Sequence, residues 1–190
     1  MTDLDICNHA LARLGCRFNV ASLSEDSAEG RACNLLYAVA RDAALRRHDW
    51  SFATTRLALT DLGTPPSDWG YRYSLPADCL KARQLMIKDG APPSPFEVAG
   101  RELFCDIASA TLIYTKRITD TTIFDPGFIE LLILKLATDL ATVLRLSAEL
   151  HNSFDRSWKS WLPEAGAQDA NEAAGLGSWD APWITARGGL

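Results

Sequence analysis

The chain has 190 residues, 47% of them apolar and 23% charged, and a formal net charge of −5. That specifies one domain, or one domain with a sizeable insertion, with enough apolar side chains for a true core, and it excludes a chain disordered throughout. A protein that coats nucleic acid in general would be basic, so that class is excluded too, whereas an acidic wall repels DNA and lets it slide past.

Asp3 to Leu14 reads as a first helix: Leu4, Cys7, Leu11 and Leu14 share a face, and Gly15 is placed as a left-handed stop. After a loop over residues 16–25, Asp26 and Glu29 have the spacing of a capping box and open a second helix that ends near His48. Ala28, Ala32, Leu35, Leu36, Val39 and Ala43 recur along one stripe of it, and Cys33, Tyr37, Ala40 and Ala44 along another. Two apolar stripes imply a helix covered from two sides. Its acid comes first (Glu29) and its bases last (Arg46, Arg47, His48), which suits the helix dipole.

From Trp50 the period changes. Trp69, Tyr71, Tyr73 and Leu75 alternate as in a strand that Pro76 ends or places at an edge. Leu80 to Ile87 reads as a second strand, and Ala91-Pro92-Pro93-Ser94-Pro95 as a stiff loop. Phe96 to Cys105 reads as a hairpin turning at Gly100 and Arg101, and Thr111 to Ile118 as another strand. Asp125-Pro126 then starts a third helix, an acid at the cap and proline in the first turn. Phe128 to Leu146 is apolar on most sides, but Glu130, Lys135, Asp139 and Arg145 argue against a membrane span, since each charge costs about 2–3 kcal/mol at bilayer depth. Ser147 is placed to cap a fourth helix bearing Leu150, Phe154, Trp158, Trp161 and Leu162, which Pro163 should kink or stop. Beyond the flexible joint Gly175-Leu176-Gly177-Ser178, an extended tail carries Trp179, Pro182, Trp183 and Ile184. Such apolar surface needs a cover, either its own bundle or a neighbouring subunit.

Side chains with chemistry are sparse. The cysteines (Cys7, Cys16, Cys33, Cys79, Cys105) are odd in number with no CxxC spacing, and they read as buried free thiols in a reducing compartment. His9, His48 and His151 lie at no metal-ligand spacing, so no metal and no cofactor is expected. No nucleophile elbow or phosphate-cradling glycine loop occurs. The carboxylate pairs Asp26/Glu29 and Asp42/Asp49 have the makings of a glycosidase, yet capping explains the first, and a solvated face beside Arg46 explains Asp42. Arg41, Arg46 and Arg47 read as dipole partners or as interface pairs to acids rather than as a nucleic-acid patch. Asp3 and Asp5 stand where a signal peptide would be basic, so assembly in the bacterial cytoplasm is expected.

Three segments carry a resemblance. Leu23-Ser24-Glu25-Asp26-Ser27 runs through Arg41-Asp42 to His48-Asp49-Trp50-Ser51-Phe52-Ala53. Tyr71-Arg72-Tyr73-Ser74-Leu75-Pro76-Ala77-Asp78-Cys79 follows, and then Tyr114 to Pro126 with Thr119-Asp120 and Phe124-Asp125-Pro126. In this order they resemble the head-to-tail adaptors of tailed bacteriophages, the tail tubular protein A-like family. The resemblance implies a structural virion protein at the head–tail junction, not an enzyme. Such a protein forms a ring, twelve-fold like the portal protein above it, extends the DNA channel without reading sequence, and presents a platform for the tail or nozzle protein.

The expected fold is mainly α: a bundle of about four helices (1–49 and 119–170), an inserted small antiparallel β-sheet (50–118) and an extended C-terminal arm (171–190). The expected oligomer or portal interface comprises Trp50, Phe52, Arg46, Arg47, Trp179, Trp183 and Ile184, although Trp50 and Phe52 serve equally well to pin the sheet to the bundle. The alternatives are a virion-associated peptidoglycan hydrolase and an unrelated cytoplasmic helical scaffold.

Overall fold

Thr2 and Asp5 cap each other. Thr2 Oγ1 accepts from Asp5 N at 3.1 Å, and Asp5 Oδ2 accepts from Thr2 N at 2.7 Å. They start α1 (Asp3–Arg13), which buries Ile6, Cys7, Ala10 and Leu11 and is stopped at Gly15, φ +77°. The structure, a computed structural model, describes residues 1–16, 19–65, 68–86 and 94–173, with backbone alone for 171–173. The predicted arm with Trp179, Trp183 and Ile184, and Ala91, Pro92 and Pro93 of the predicted loop, lie outside the described residues.

The second helix, α2 (Ala28–Arg47), is capped one residue later than the sequence suggests. Ser27 Oγ accepts from Gly30 N at 3.0 Å, while Asp26 pairs with Arg31. Glycine at position 30 makes this possible, because a Cβ there would lie 2.7 Å from the Glu25 carbonyl oxygen folded over the helix start. Of the two predicted stripes, Cys33, Tyr37, Ala40 and Ala44 face the core. The other is split: Ala32 is buried, but Leu35 and Val39 stand 68% and 65% exposed. Among the described residues α2 is covered from one side, not two.

The segment after Trp50 holds more strand than expected. In one antiparallel sheet β1 (Thr54–Ala58) and β4 (Cys79–Met86) flank β7 (Thr111–Lys116). In the other, β2 (Thr60–Asp61), β3 (Tyr71–Ser74), β6 (Glu102–Cys105) and β5 (Phe96–Ala99) follow in that spatial order. The chain passes from the first sheet to the second at Leu59, whose N–H donates to Ala110 O at 2.8 Å. The predicted hairpin is β5–β6, turning at Gly100, φ +62°. Tyr73, Leu85, Leu103, Cys105, Leu112 and Tyr114 form the core of this part.

These strands overturn the mainly α expectation. Helix takes 47% of the chain and strand 21%, with two sheets of three and four strands, so the fold is mixed α and β. The unexpected strands are β1 and β2. Both lie at sheet edges with mostly exposed residues, so Thr-Thr-Arg-Leu-Ala and Thr-Asp carry no buried-face alternation to mark them.

Asp125 Oδ1 accepts from Gly127 N and Phe128 N at 2.7 and 3.2 Å and caps α3 (Pro126–Val143), with Pro126 where its missing N–H costs nothing. This helix is the centre, packing against α1, α2 and the last helix, α4 (Ala148–Ala173). Ser147 Oγ accepts from Leu150 N at 3.2 Å at the start of α4. Of the kink or stop expected at Pro163, the stop does not occur. Proline removes one intrahelical bond, but the next turns are anchored by Ala165 and Asp169, 0% and 4% exposed. Tertiary packing keeps the helix going.

Candidate interaction surface

The joint between helices and sheet is built from His48 to Ala53. His48 ends α2 in an extended conformation and turns the chain out of the helix. Trp50 then enters the core, 0% exposed. Its Nε1 donates to Ala44 O at 3.1 Å, and its ring meets Phe128 edge to face at 5.2 Å. Half-buried Phe52 packs on Trp50, Phe124 and Phe128. Of the two roles open to these aromatics, the geometry supplies the pin, and Trp50 has no surface left for a partner.

Asp169 closes the joint from α4. Its carboxylate accepts from Ser51 N at 2.9 and 3.0 Å and from Ser51 Oγ at 2.5 Å, and His48 Nε2 lies 3.8 Å away. His48 also lies so close to α4 that a Cβ at position 166 would come within 2.8 Å of its ring, which is why Gly166 fits there. A serine, a histidine and an aspartate thus meet, but in the wrong order for nucleophilic catalysis. The serine proton goes to the carboxylate, and no hydrogen bond joins Ser51 to His48 to make a general base. The arrangement does the work of a clamp.

Charge is laid out unevenly on the outside. Asp42 accepts from Arg41 at 2.8 Å and from Arg117 at 2.7 Å, tying α2 to the end of β7 rather than resting beside Arg46. Burial opposes ionisation of Asp49, but its hydrogen bond from Lys81 at 2.8 Å and the charges of Arg83 and Lys81 outweigh it, so its carboxyl lies below the usual 3.8. Arg83 donates to Thr115 Oγ1 and Thr54 Oγ1, both at 2.8 Å, beneath the joint. Tyr114 donates to Asp78 at 3.0 Å, and burial first, then that bond, push its hydroxyl up to about 12. Arg47 is exposed.

Between the end of α2, β4 and the β5–β6 turn lies a cleft of about 300 Å³. Leu75, Leu80, Phe96 and Val98 supply its apolar wall, and Arg46, Lys81 and Arg101 its charge. Arg46 donates one N–H to Leu80 O, and Arg101 donates to Cys79 O, Leu75 O and Pro76 O. Among the described residues neither guanidinium has a carboxylate partner. A guanidinium carries five N–H donors, so these backbone bonds fix its position without neutralising it.

The chain matches no protein-family model. No curated protein matches it in sequence. Of the interface residues expected from sequence, the structure brings Arg46 into the cleft and leaves Arg47 exposed near it. Arg101, Lys81, Gly166 and Asp169 were not singled out. Arg101 looked like an ordinary turn residue, and Asp169 lies beyond the proline expected to end its helix. Among the described residues no three His, Cys, Asp or Glu side chains are grouped to hold a metal, and no described helix is long and apolar enough to cross a membrane.

Proposed function

We propose that the chain is a head-to-tail adaptor: a structural virion protein that assembles as a ring beneath the portal, lengthens the DNA channel and offers the tail its platform. The observation that carries this reading is the uncovered face of α2. Leu35 and Val39, one turn apart, are more than three-fifths exposed on a helix whose opposite side is fully packed. Isolated exposed leucines are ordinary, but a paired ridge beside exposed Ala38 on a helix of 20 residues suits side-by-side packing of subunits.

The resembling segments support the same reading. His48-Asp49-Trp50-Ser51-Phe52-Ala53 is the joint, Tyr71 to Cys79 spans β3 and the turn into β4, and Tyr114 to Pro126 runs from β7 to the cap of α3. The first and third fasten helices to sheet and the second passes from one sheet to the other, as a load-transmitting part requires. Particle mass by light scattering tests the proposal, for this protein alone and after mixing with portal rings of its own virus. Addition to the portal as a complete ring is expected. A species that stays monomeric in both samples contradicts the adaptor reading.

A further inference from the structure

The two ends of α2 carry opposite charge. At its start, Glu25, Asp26 and Glu29 lie together, and among the described residues Arg31 alone pairs with one of them, Asp26, whose side chain is 93% exposed. Glu25 is held ionised, its carboxyl lowered by the hydrogen bond from Ala21 N at 2.8 Å. At its end lies the apolar-walled cleft with Arg46, Lys81 and Arg101, where Asp49 is the only acid bonded to any of the three among the described residues. The helix between them has 20 residues and so a length of about 30 Å, which keeps the acidic loop from reaching the cleft of its own chain. The exposed Leu35 and Val39 lie between the two ends.

We propose that this cleft receives the acidic loop at residues 24–29 of a second copy of the chain, an inference that rests on the ring reading. The contact joins unlike surfaces, head to tail. Each copy offers a loop to one neighbour and a cleft to the other, and such a contact repeats until it closes as a ring. Charge complementarity names the occupant. Asp26 is the most exposed acid of the loop, and Arg46 and Arg101 are cations positioned by the backbone but not neutralised. The apolar wall at Phe96 and Val98 removes water from that pairing and strengthens it. Arg101 sets the specificity, because a lysine there would lose the forked bonds to three carbonyl oxygens that aim it.

The test is a crosslink between Ala28→Cys and Val98→Cys in one chain, which keeps the Asp26 charge, with copper phenanthroline and dissolved oxygen as oxidant. Both positions are exposed, so folding is not at stake, and each single variant is the control. In assembled rings the double variant is expected to give a covalent ladder of multimers on a denaturing gel. Rings of normal mass that yield no ladder overturn the docking and leave the adaptor reading standing, whereas absence of rings from the unaltered protein and portal removes both. Asp26→Lys is expected to raise the concentration needed for half-assembly at least about tenfold. If a short DNA duplex binds the free chain and suppresses the ladder, the cleft belongs to phosphates and the proposal fails.

Discussion

Around α3, apolar side chains are buried turn after turn: Phe128, Leu131, Leu132, Leu136 and Leu140 are all 0% exposed. The sheet region has a much smaller core, and polar crosslinks supplement it. Tyr73 donates to Ile107 O at 2.7 Å, Arg72 forks onto Glu102, and Trp69 Nε1 donates to Glu97 at 3.1 Å. The difference teaches where each region draws its stability. Burial of apolar area is worth about 25 cal/mol per Å² and holds the helices. The sheet leans on single hydrogen bonds, each worth about 1 kcal/mol, and on its joint to the bundle.

Removing the joint is the largest expected break in that comparison. Trp50→Ala deletes a fully buried aromatic and is expected to cost about 3–5 kcal/mol in urea unfolding, with the two regions separating into distinct transitions. Asp169→Ala removes the clamp on Ser51 and is expected to cost about 2 kcal/mol, read the same way. Tyr73→Phe keeps the ring and loses the bond to Ile107 O together with the long one, 3.5 Å, that the hydroxyl accepts from Ala110 N. It should cost about 1 kcal/mol, with hydrogen exchange accelerated in β3 and β6 and unchanged in α3.

Acid should act on the joint before it acts on the helical core. Asp49 has its folded-state carboxyl below the usual 3.8, so the folded chain takes up that proton less readily than the unfolded chain. Its contribution is then complete above about pH 5 and is lost as pH falls through 3.8 toward the lower folded value. In Asp49→Asn the stability difference between pH 6 and pH 3 should shrink. An unchanged pH profile would show that the Lys81 and Arg83 contacts carry no net stabilisation.

The helices were legible because their signals are local. Asp125-Pro126, Gly15 and Ser147 act within one turn of where they stand, and the structure uses all three. The hairpin at Gly100 was legible for the same reason. What escaped depends on distant partners. β1 and β2 have no alternation because they are edges, Pro163 stays helical because Ala165 and Asp169 are held by other elements, and Leu35 looked like core until its side of α2 proved uncovered. The cleft escaped for a like reason: Arg46 and Arg101 lie 55 positions apart by their numbers, and only the β4 backbone brings them together.

The most direct measurement is hydroxyl-radical footprinting of the free chain and of the ring assembled on the portal. Leu35, Val39 and Val98 are exposed in the chain, Trp50 is buried in it, and Ile123 and Val143 are exposed elsewhere. Protection of Leu35, Val39 and Val98 on assembly is expected, with Trp50 unreactive in both states and Ile123 still reactive. Rings that form while Leu35 and Val39 remain as reactive as in the free chain would contradict the account, since the face of α2 would then not be the surface on which the subunits meet.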